Sequence, residues 1–319
     1  MVRLLFKSLL LVFAGLVFFL LAGLVAVWAP DQPLNALLAR WARPPSQFVL
    51  IDGLQVHLRD EGPRDDPEPI VLLHGTSDSL HTWDGWVDVL KARRRVIRFD
   101  LPGFGLTGPS PDNDYSIARY VRFTAALLDH LKLQRCVLAG NSLGGQIAWA
   151  TALAVPRQVQ KLILVDAGGY PLAPQALPLA FRLARTQGGR QVLEHLLPRG
   201  LVQTSVRNVY GDPAKVTPEL VQRYYDMALR AGNRRALGYR MQAVAQDDSA
   251  RIRDLRLPTL VLWGAKDRLI PLQAGRLFVR DIPDARLVVF DDLGHVPQQE
   301  DPARTAAQVL EFLGLRQVI

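Results

Sequence analysis

A serine set between glycines, Gly140-Asn141-Ser142-Leu143-Gly144, is the stretch of this chain with the most chemical content. Its spacing is G-x-S-x-G, and its flanks give that spacing a setting. Cys136 to Ala139 is a short apolar run of strand type, and Leu143 to Ala154 is rich in helix formers. A strand that turns directly into a helix holds its central residue in a strained conformation and lifts the side chain off the sheet. Gly140 and Gly144 remove the Cβ atoms that would collide across so tight a turn. Ser142 is therefore expected to be presented as a nucleophile.

A serine hydroxyl is a poor nucleophile at neutral pH, so it implies a base, and the base implies an orienting acid. Among the six histidines, His295 follows the last apolar run in Asp291-Asp292-Leu293-Gly294-His295-Val296-Pro297, where a side chain can reach across strand ends. Asp267 follows Trp263-Gly264-Ala265-Lys266 at the end of the preceding run. The chain order Ser142, Asp267, His295 places three loops at the carboxyl ends of strands, where open α/β sheets build their sites. Asp166 also ends a strand and is the alternative acid. His57 in an early strand, His130 near a helix end and His195 in an inserted stretch read as packing or surface residues. His74, before a glycine, reads as a brace for its loop. Asp100 reads as fixing the turn Asp100-Leu101-Pro102-Gly103-Phe104-Gly105, and Asp292 as loop structure. Acyl transfer also needs fixed donors for an oxyanion. The backbone N–H groups of Leu143, just after the serine, and of Thr76, in His74-Gly75-Thr76, are the expected pair.

The elements that must position these residues alternate. Gln47 to Ile51 and Leu54 to Arg59 flank Asp52-Gly53, a hairpin signal. Pro69 to Leu73, Val96 to Phe99, Cys136 to Ala139, Leu162 to Val165, Thr259 to Trp263 and Leu287 to Phe290 read as buried strands. Helices are expected at 117–131, 143–154 and 302–313, the last capped by Asp301. This rhythm predicts an α/β fold with a mostly parallel, doubly wound sheet. It breaks between Gly169 and Pro258, where the best element is a helix from Pro218 to Ala231 with Thr217 as N-cap and Gly232 as stop. Its expected apolar face is Leu220, Val221, Tyr224, Tyr225, Ala228 and Leu229.

Composition adds a membrane. From Ser8 to Ala29 no residue is charged, and as a helix that stretch spans about 33 Å, enough for a bilayer core. A cleavable signal peptide is the competing reading, but the run is longer than a signal's apolar region, and Pro30 would follow the cut. Residues 1–30 are therefore read as a single-pass anchor and 31–46 as a linker with a short helix at Leu34 to Trp41. Arg3 and Lys7 before the span lean toward an extracytoplasmic main domain. The net charge is +8, and nearly all of it falls between Pro171 and Leu257, with 14 Arg and Lys against 7 Asp and Glu. No aromatic interleaving or zinc spacing supports nucleic acid as the partner. A membrane surface or ordinary solvated helix faces remain, and the apolar start Pro171-Leu172-Ala173-Pro174 with Arg182 and Arg185 suits the former. The single Cys136 reads as a small buried hydrophobe and is silent on redox compartment.

From residue 47 to 315 the chain resembles the α/β-hydrolase superfamily. The resemblance rests on Leu72-Leu73-His74-Gly75-Thr76, Asp100-Leu101-Pro102-Gly103-Phe104-Gly105, Gly140-Asn141-Ser142-Leu143-Gly144-Gly145, Leu262-Trp263-Gly264-Ala265-Lys266-Asp267 and Gly294-His295. It implies a core over 47–170 and 258–319, with a helical cap inserted at 171–257. Members with aspartate at the nucleophile position include haloalkane dehalogenases and epoxide hydrolases, and Ser142 argues against both. Esterases, lipases and carbon–carbon hydrolases of aromatic ring-cleavage products share the Gly-Asn-Ser pattern. The last group has a glycine-rich loop after His-Gly, whereas Thr76-Ser77-Asp78-Ser79 stands here. The expectation is a membrane-anchored serine esterase or lipase acting on a small-molecule or lipid ester, with no metal or organic cofactor. A carbon–carbon hydrolase is the alternative enzyme, and a catalytically silent, membrane-tethered binding protein the alternative of another class.

Overall fold

Alternating apolar positions become the two buried faces of one sheet. A computed structural model of the chain describes residues 2–171, 177–243 and 247–315. The chain begins with α1 (Val2–Val27) and α2 (Leu34–Trp41), then enters the hairpin β1 (Gln47–Ile51) and β2 (Leu54–Glu61). Asp52 and Gly53 join those strands with φ of 50° and 79°, the positive values a tight hairpin turn requires. β3 (Ile70–Leu73), α3 (Asp84–Leu90), β4 (Val96–Phe99), α4 (Ile117–His130), β5 (Cys136–Asn141), α5 (Leu143–Ala154) and β6 (Val159–Val165) follow. Five helices are inserted next: α6 (Leu179–Ala184), α7 (Gln187–His195), α8 (Arg199–Val209), α9 (Pro218–Leu229) and α10 (Asn233–Gln242). The chain closes with β7 (Thr259–Gly264), α11 (Leu272–Asp281), β8 (Ala285–Phe290), α12 (Pro297–Glu300) and α13 (Pro302–Phe312).

The eight strands lie in the order β1-β2-β4-β3-β5-β6-β7-β8. β1, β2 and β4 pair antiparallel, and from β4 onward every pair is parallel. Because side chains alternate across a strand, Val71 and Leu73 join the core under α4, α5 and α11, while Ile70 and Leu72 join the core under α3 and α13. Sequence reasoning anticipated the strands to within a few residues. It passed over α3, α11 and α12, and it resolved one α-helix of the insertion where the described residues hold five.

α6 and α7 are short, and α7 carries Gly188-Gly189 in its first turn, so neither shows a long periodic pattern. α9 starts as expected, with the Thr217 side chain accepting from Leu220 N–H, but it ends at Leu229, and Gly232 (φ 87°) precedes α10 instead of stopping α9. Its buried side chains also differ from the expected face: Val221, Asp226, Met227 and Leu229. Asp226 is buried because Trp41 Nε1 and Gln222 Nε2 donate to its carboxylate at 2.9 and 2.6 Å.

The stretch Phe6–Val25 of α1 is long and apolar enough to cross a membrane, with a mean hydropathy of 2.8 and none of it buried. The chain leaving α1 is stitched to the insertion. Leu197 N–H donates to Val27 O (3.0 Å), Ala29 N–H to His195 O (2.9 Å), Gln32 N–H to Leu229 O (2.7 Å) and Ala231 N–H to Gln32 O (2.8 Å). Leu37 and Trp41 of α2 then pack with Leu106 and Met227. Residues 31–46 thus form a packed strap across core and insertion. The expected apolar start of the insertion, Leu172 to Pro174, lies outside the described residues. Its arginines divide: Arg182 and Arg185 are exposed, whereas Arg223, half-buried, faces Asp78, and Arg234, buried, faces Asp31.

Candidate active site

β5 ends and α5 begins within one residue, and Ser142 is that residue. Its φ of 55° and ψ of −117° are strained for any side chain but glycine. A Cβ on Gly140 would lie 2.2 Å from the Gly144 backbone, and one on Gly144 would lie 2.2 Å from Leu73 O. The two glycines are therefore required by space, since neither has a positive φ. Three backbone bonds hold the turn: Ser142 N–H to Val165 O, and the N–H groups of Gln146 and Gly168 to Ser142 O, all 3.0–3.1 Å.

His295 and Asp267 are brought together by the loops after β8 and β7. His295 Nδ1 lies 2.7 Å from Asp267 Oδ2, and both residues are buried. Asp267 Oδ1 accepts from the N–H groups of Leu269 (2.7 Å) and Ile270 (3.1 Å). With an acceptor-only carboxylate opposite, Nδ1 carries the proton and Nε2 is left as the basic nitrogen. Ser142, His295 and Thr76 line one cavity of about 170 Å³. Gly75 runs so close to the elbow that a Cβ there would meet Ser142 Cβ at 3.2 Å. Among the described residues, no protein acceptor is bonded to the N–H of Thr76 or of Leu143. Five of the insertion's apolar side chains, Phe181, Leu193, Leu197, Val206 and Leu237, help to line the cavity above.

The other expected residues fall elsewhere. His74 spends one ring nitrogen on its own loop, Nδ1 toward Gly75 O (2.7 Å), and the other on the turn after β4, Nε2 accepting from Leu101 N–H (2.9 Å). Asp100 accepts from the N–H groups of Leu80 and Leu106, both 2.7 Å, and from His57 Nδ1 at 2.8 Å. Burial opposes its charge, but His57 and its other histidine neighbours hold the carboxyl well below the usual range. His57 is fully buried, His130 is exposed, and His195 stacks on Trp28. Asp292 pairs with Arg304 at the surface. Cys136 is buried, and burial pushes its thiol up to about 12. Asp166, Asp267 and His295 offer ligand atoms within 4.8 Å of one another, a spacing a cation could use, but Asp267 and His295 Nδ1 are already committed to each other.

Sequence reasoning missed the residues that hold the site together. Asn141 Nδ2 donates to Val165 O (3.1 Å) and His295 O (2.9 Å), tying the elbow to the histidine loop. Glu300 accepts from the N–H groups of Gly211, Asp212 and Gly294, and His295 N–H donates to Val209 O at 2.7 Å. The insertion is thereby pinned to the histidine loop. Asp78, after the Thr76 turn, accepts from Tyr224 Oη at 2.8 Å and lies 3.6 Å from Arg223. Burial and Asp78 together push the Tyr224 hydroxyl far above its ordinary range. Asn141 stood inside the motif, so its position was visible and only its role was not.

The strand order, the antiparallel start and the strand-turn-helix at Ser142 define an α/β-hydrolase fold. The chain belongs to that family: the family model described as alpha/beta hydrolase fold matches residues 68–302. Among curated proteins it is 31% identical over 279 residues to a 2-hydroxy-6-oxo-2,4-heptadienoate hydrolase of Pseudomonas putida, covering 84% of this chain and 95% of that one. Among solved structures it is similar to a meta-cleavage product hydrolase, with a TM-score of 0.72 and 25% identity, covering 84% of this chain and 97% of that one. It is also similar to a membrane phospholipase A, with a TM-score of 0.73 and 25% identity, and there the match covers 98% of both chains. The chain is a hydrolase.

Proposed function

We propose that the protein is a membrane-anchored serine hydrolase of carboxylic esters with an apolar acyl chain. In this scheme Ser142 attacks the ester carbonyl while His295 Nε2 takes its proton, and Asp267 holds the imidazole and stabilises its charged form. The N–H groups of Thr76 and Leu143 receive the oxyanion. His295 returns the proton to the departing alcohol, then activates the water that releases the acid from the acyl-enzyme. The five-helix insertion is the cap over the site.

The observation that carries the ester reading is the cavity wall. Its apolar side chains suit an acyl chain, and of its charged side chains Asp78 lies against Arg223 while Arg234 reaches Asp31 through Nη2 alone. Arg234, which also lines the cavity, keeps Nε and Nη1 without a partner among the described residues, and these are donors that a dienoate carboxylate could use. The likeness to a membrane phospholipase over 98% of this chain takes in most of α1 and supports both the anchor and a lipid-derived ester.

A second reading has its own support. Three relatives named as hydrolases of 2-hydroxy-6-oxo dienoates or dienedioates are 30%, 31% and 33% identical to this chain, and the same serine, histidine and oxyanion donors can serve carbon–carbon cleavage. One profile decides between the two: kcat/KM against p-nitrophenyl esters of increasing chain length, beside a 2-hydroxy-6-oxo dienoate. Ester hydrolysis predicts a rise with chain length and at least about a hundredfold preference over the dienoate, a difference of some 2.7 kcal/mol in transition-state binding. Faster turnover of the dienoate would give the function to the second reading.

A further inference from the structure

Asp166 is a buried acid beside the site that the acyl-transfer scheme does not use. It follows β6 directly with its backbone at φ 43°, and its side chain is fully buried. Oδ1 accepts Gly264 N–H at 3.0 Å, while no donor among the described residues reaches Oδ2. An oxygen of Asp166, an oxygen of Asp267 and a ring nitrogen of His295 all lie within 4.8 Å of one another. Two carboxylates so close and so deep do not both ionise. Which of them carries the charge follows from the donors each has. Asp267 has three: Leu269 N–H, Ile270 N–H and His295 Nδ1–H. Asp166 has one. Glu300, the remaining acid felt at Asp166, is occupied by the N–H groups of Gly211, Asp212 and Gly294.

We infer that Asp166 is a neutral carboxylic acid that donates a hydrogen bond from Oδ2 to the Asp267 carboxylate and acts as a positioning residue for His295. The inference rests on the Ser142–His295–Asp267 reading. Burial first, and then the charge of Asp267, push the Asp166 carboxyl well above the ordinary range. The proton satisfies the otherwise orphaned oxygen and draws charge from Asp267. A carboxylate that is partly neutralised pulls less on an imidazolium, so removing the Asp166 donor should strengthen the pull of Asp267 on His295. The groups that face this cluster are Asp267, His295 and Glu300.

The test is the pH dependence of kcat/KM for a short, water-soluble ester in the full-length protein, read together with infrared difference spectra. Asp166→Asn keeps its Oδ1 on Gly264 and offers an uncharged, weaker donor to Asp267. It should lower kcat by about three- to tenfold while leaving the acidic limb within about 0.3 pH unit of its original position. Asp166→Ala removes the donor and should move the acidic limb up by about half a unit or more. A protonated-carboxyl C=O band should be present at neutral pH and vanish in Asp166→Asn. An acidic limb that falls by about one unit in Asp166→Asn would mean a negative charge had been removed from beside His295, and would overturn the inference. Absence of the C=O band would overturn it as well, whether or not Asp166→Ala folds. If Asp267→Asn stayed active while Asp166→Asn did not, the triad itself would be misassigned, an outcome distinct from either.

Discussion

Replacing Asp267 by Asn changes one atom, and the surroundings dictate how the amide must sit. Oδ1 of Asp267 accepts two backbone N–H groups, from Leu269 and Ile270. The amide oxygen of Asn has to take that place, because an NH2 there would face two donors. Its NH2 is then aimed at His295 Nδ1, where the carboxylate Oδ2 now accepts at 2.7 Å. A donor opposite Nδ1 forces the proton onto Nε2, the nitrogen that must take the Ser142 proton. The packing is unchanged, so Tm should move little, while kcat should fall by about 10³ to 10⁴, or roughly 4 to 5.5 kcal/mol. KM for a short ester should stay within a few-fold, since Asp267 touches no substrate. Stopped-flow labelling by a fluorophosphonate should slow by the same factor, which separates loss of the base from loss of binding. An Asp267→Asn protein keeping more than a tenth of the original kcat would refute the tautomer argument.

Other parts of the structure make further predictions. Gly144→Ala places a methyl 2.2 Å from Leu73 O and should cost about 3 kcal/mol or more in chemical denaturation, whereas Gly188→Ala meets nothing within 4 Å and should be neutral or slightly stabilising. Burial first, with Arg223 adding to it, pushes His81 down from 6.5 to about 3. Unfolded His81 thus binds a proton below about 6.5 that the folded form refuses, and its stabilisation, complete above that pH, drains away as pH falls toward 3. His81→Gln should flatten the fall of Tm over that window, and an unchanged slope would exclude His81 as its source. Removing residues 1–26 should release an active protein from membranes, because the bonds of Val27, Ala29 and Gln32 survive. Removing residues 1–33 also strips Asp31 from Arg234 and should lower Tm by several degrees, and equal Tm values would show the strap to be idle.

Ser142, His295 and Asp267 could be singled out because each sits where a buried apolar run stops, and such runs are read from local composition. Thr76 was nominated for the same reason, one turn past β3. What sequence could not offer was pairing at a distance. Asn141 reaches His295 across 154 residues, and Tyr224 reaches Asp78 across 146. Nothing local to Glu300 announces that it holds three N–H groups from two different loops. The arginine-rich insertion shows the same limit from the other side. Counting charges suggested a surface, yet Arg223 and Arg234 point inward because Asp78 and Asp31, far away in the chain, are there to meet them. The strap at 31–46 looked like a tether because its anchoring partners, Asp226 and Leu229, lie in the insertion.

The most direct test of the account is peptide mass spectrometry of protein quenched in acid during turnover of a p-nitrophenyl ester. One acyl adduct is expected, on the peptide carrying Ser142, accumulating with a burst of nitrophenol and absent from Ser142→Ala. Turnover with no adduct on Ser142, or an adduct on another residue, would contradict it.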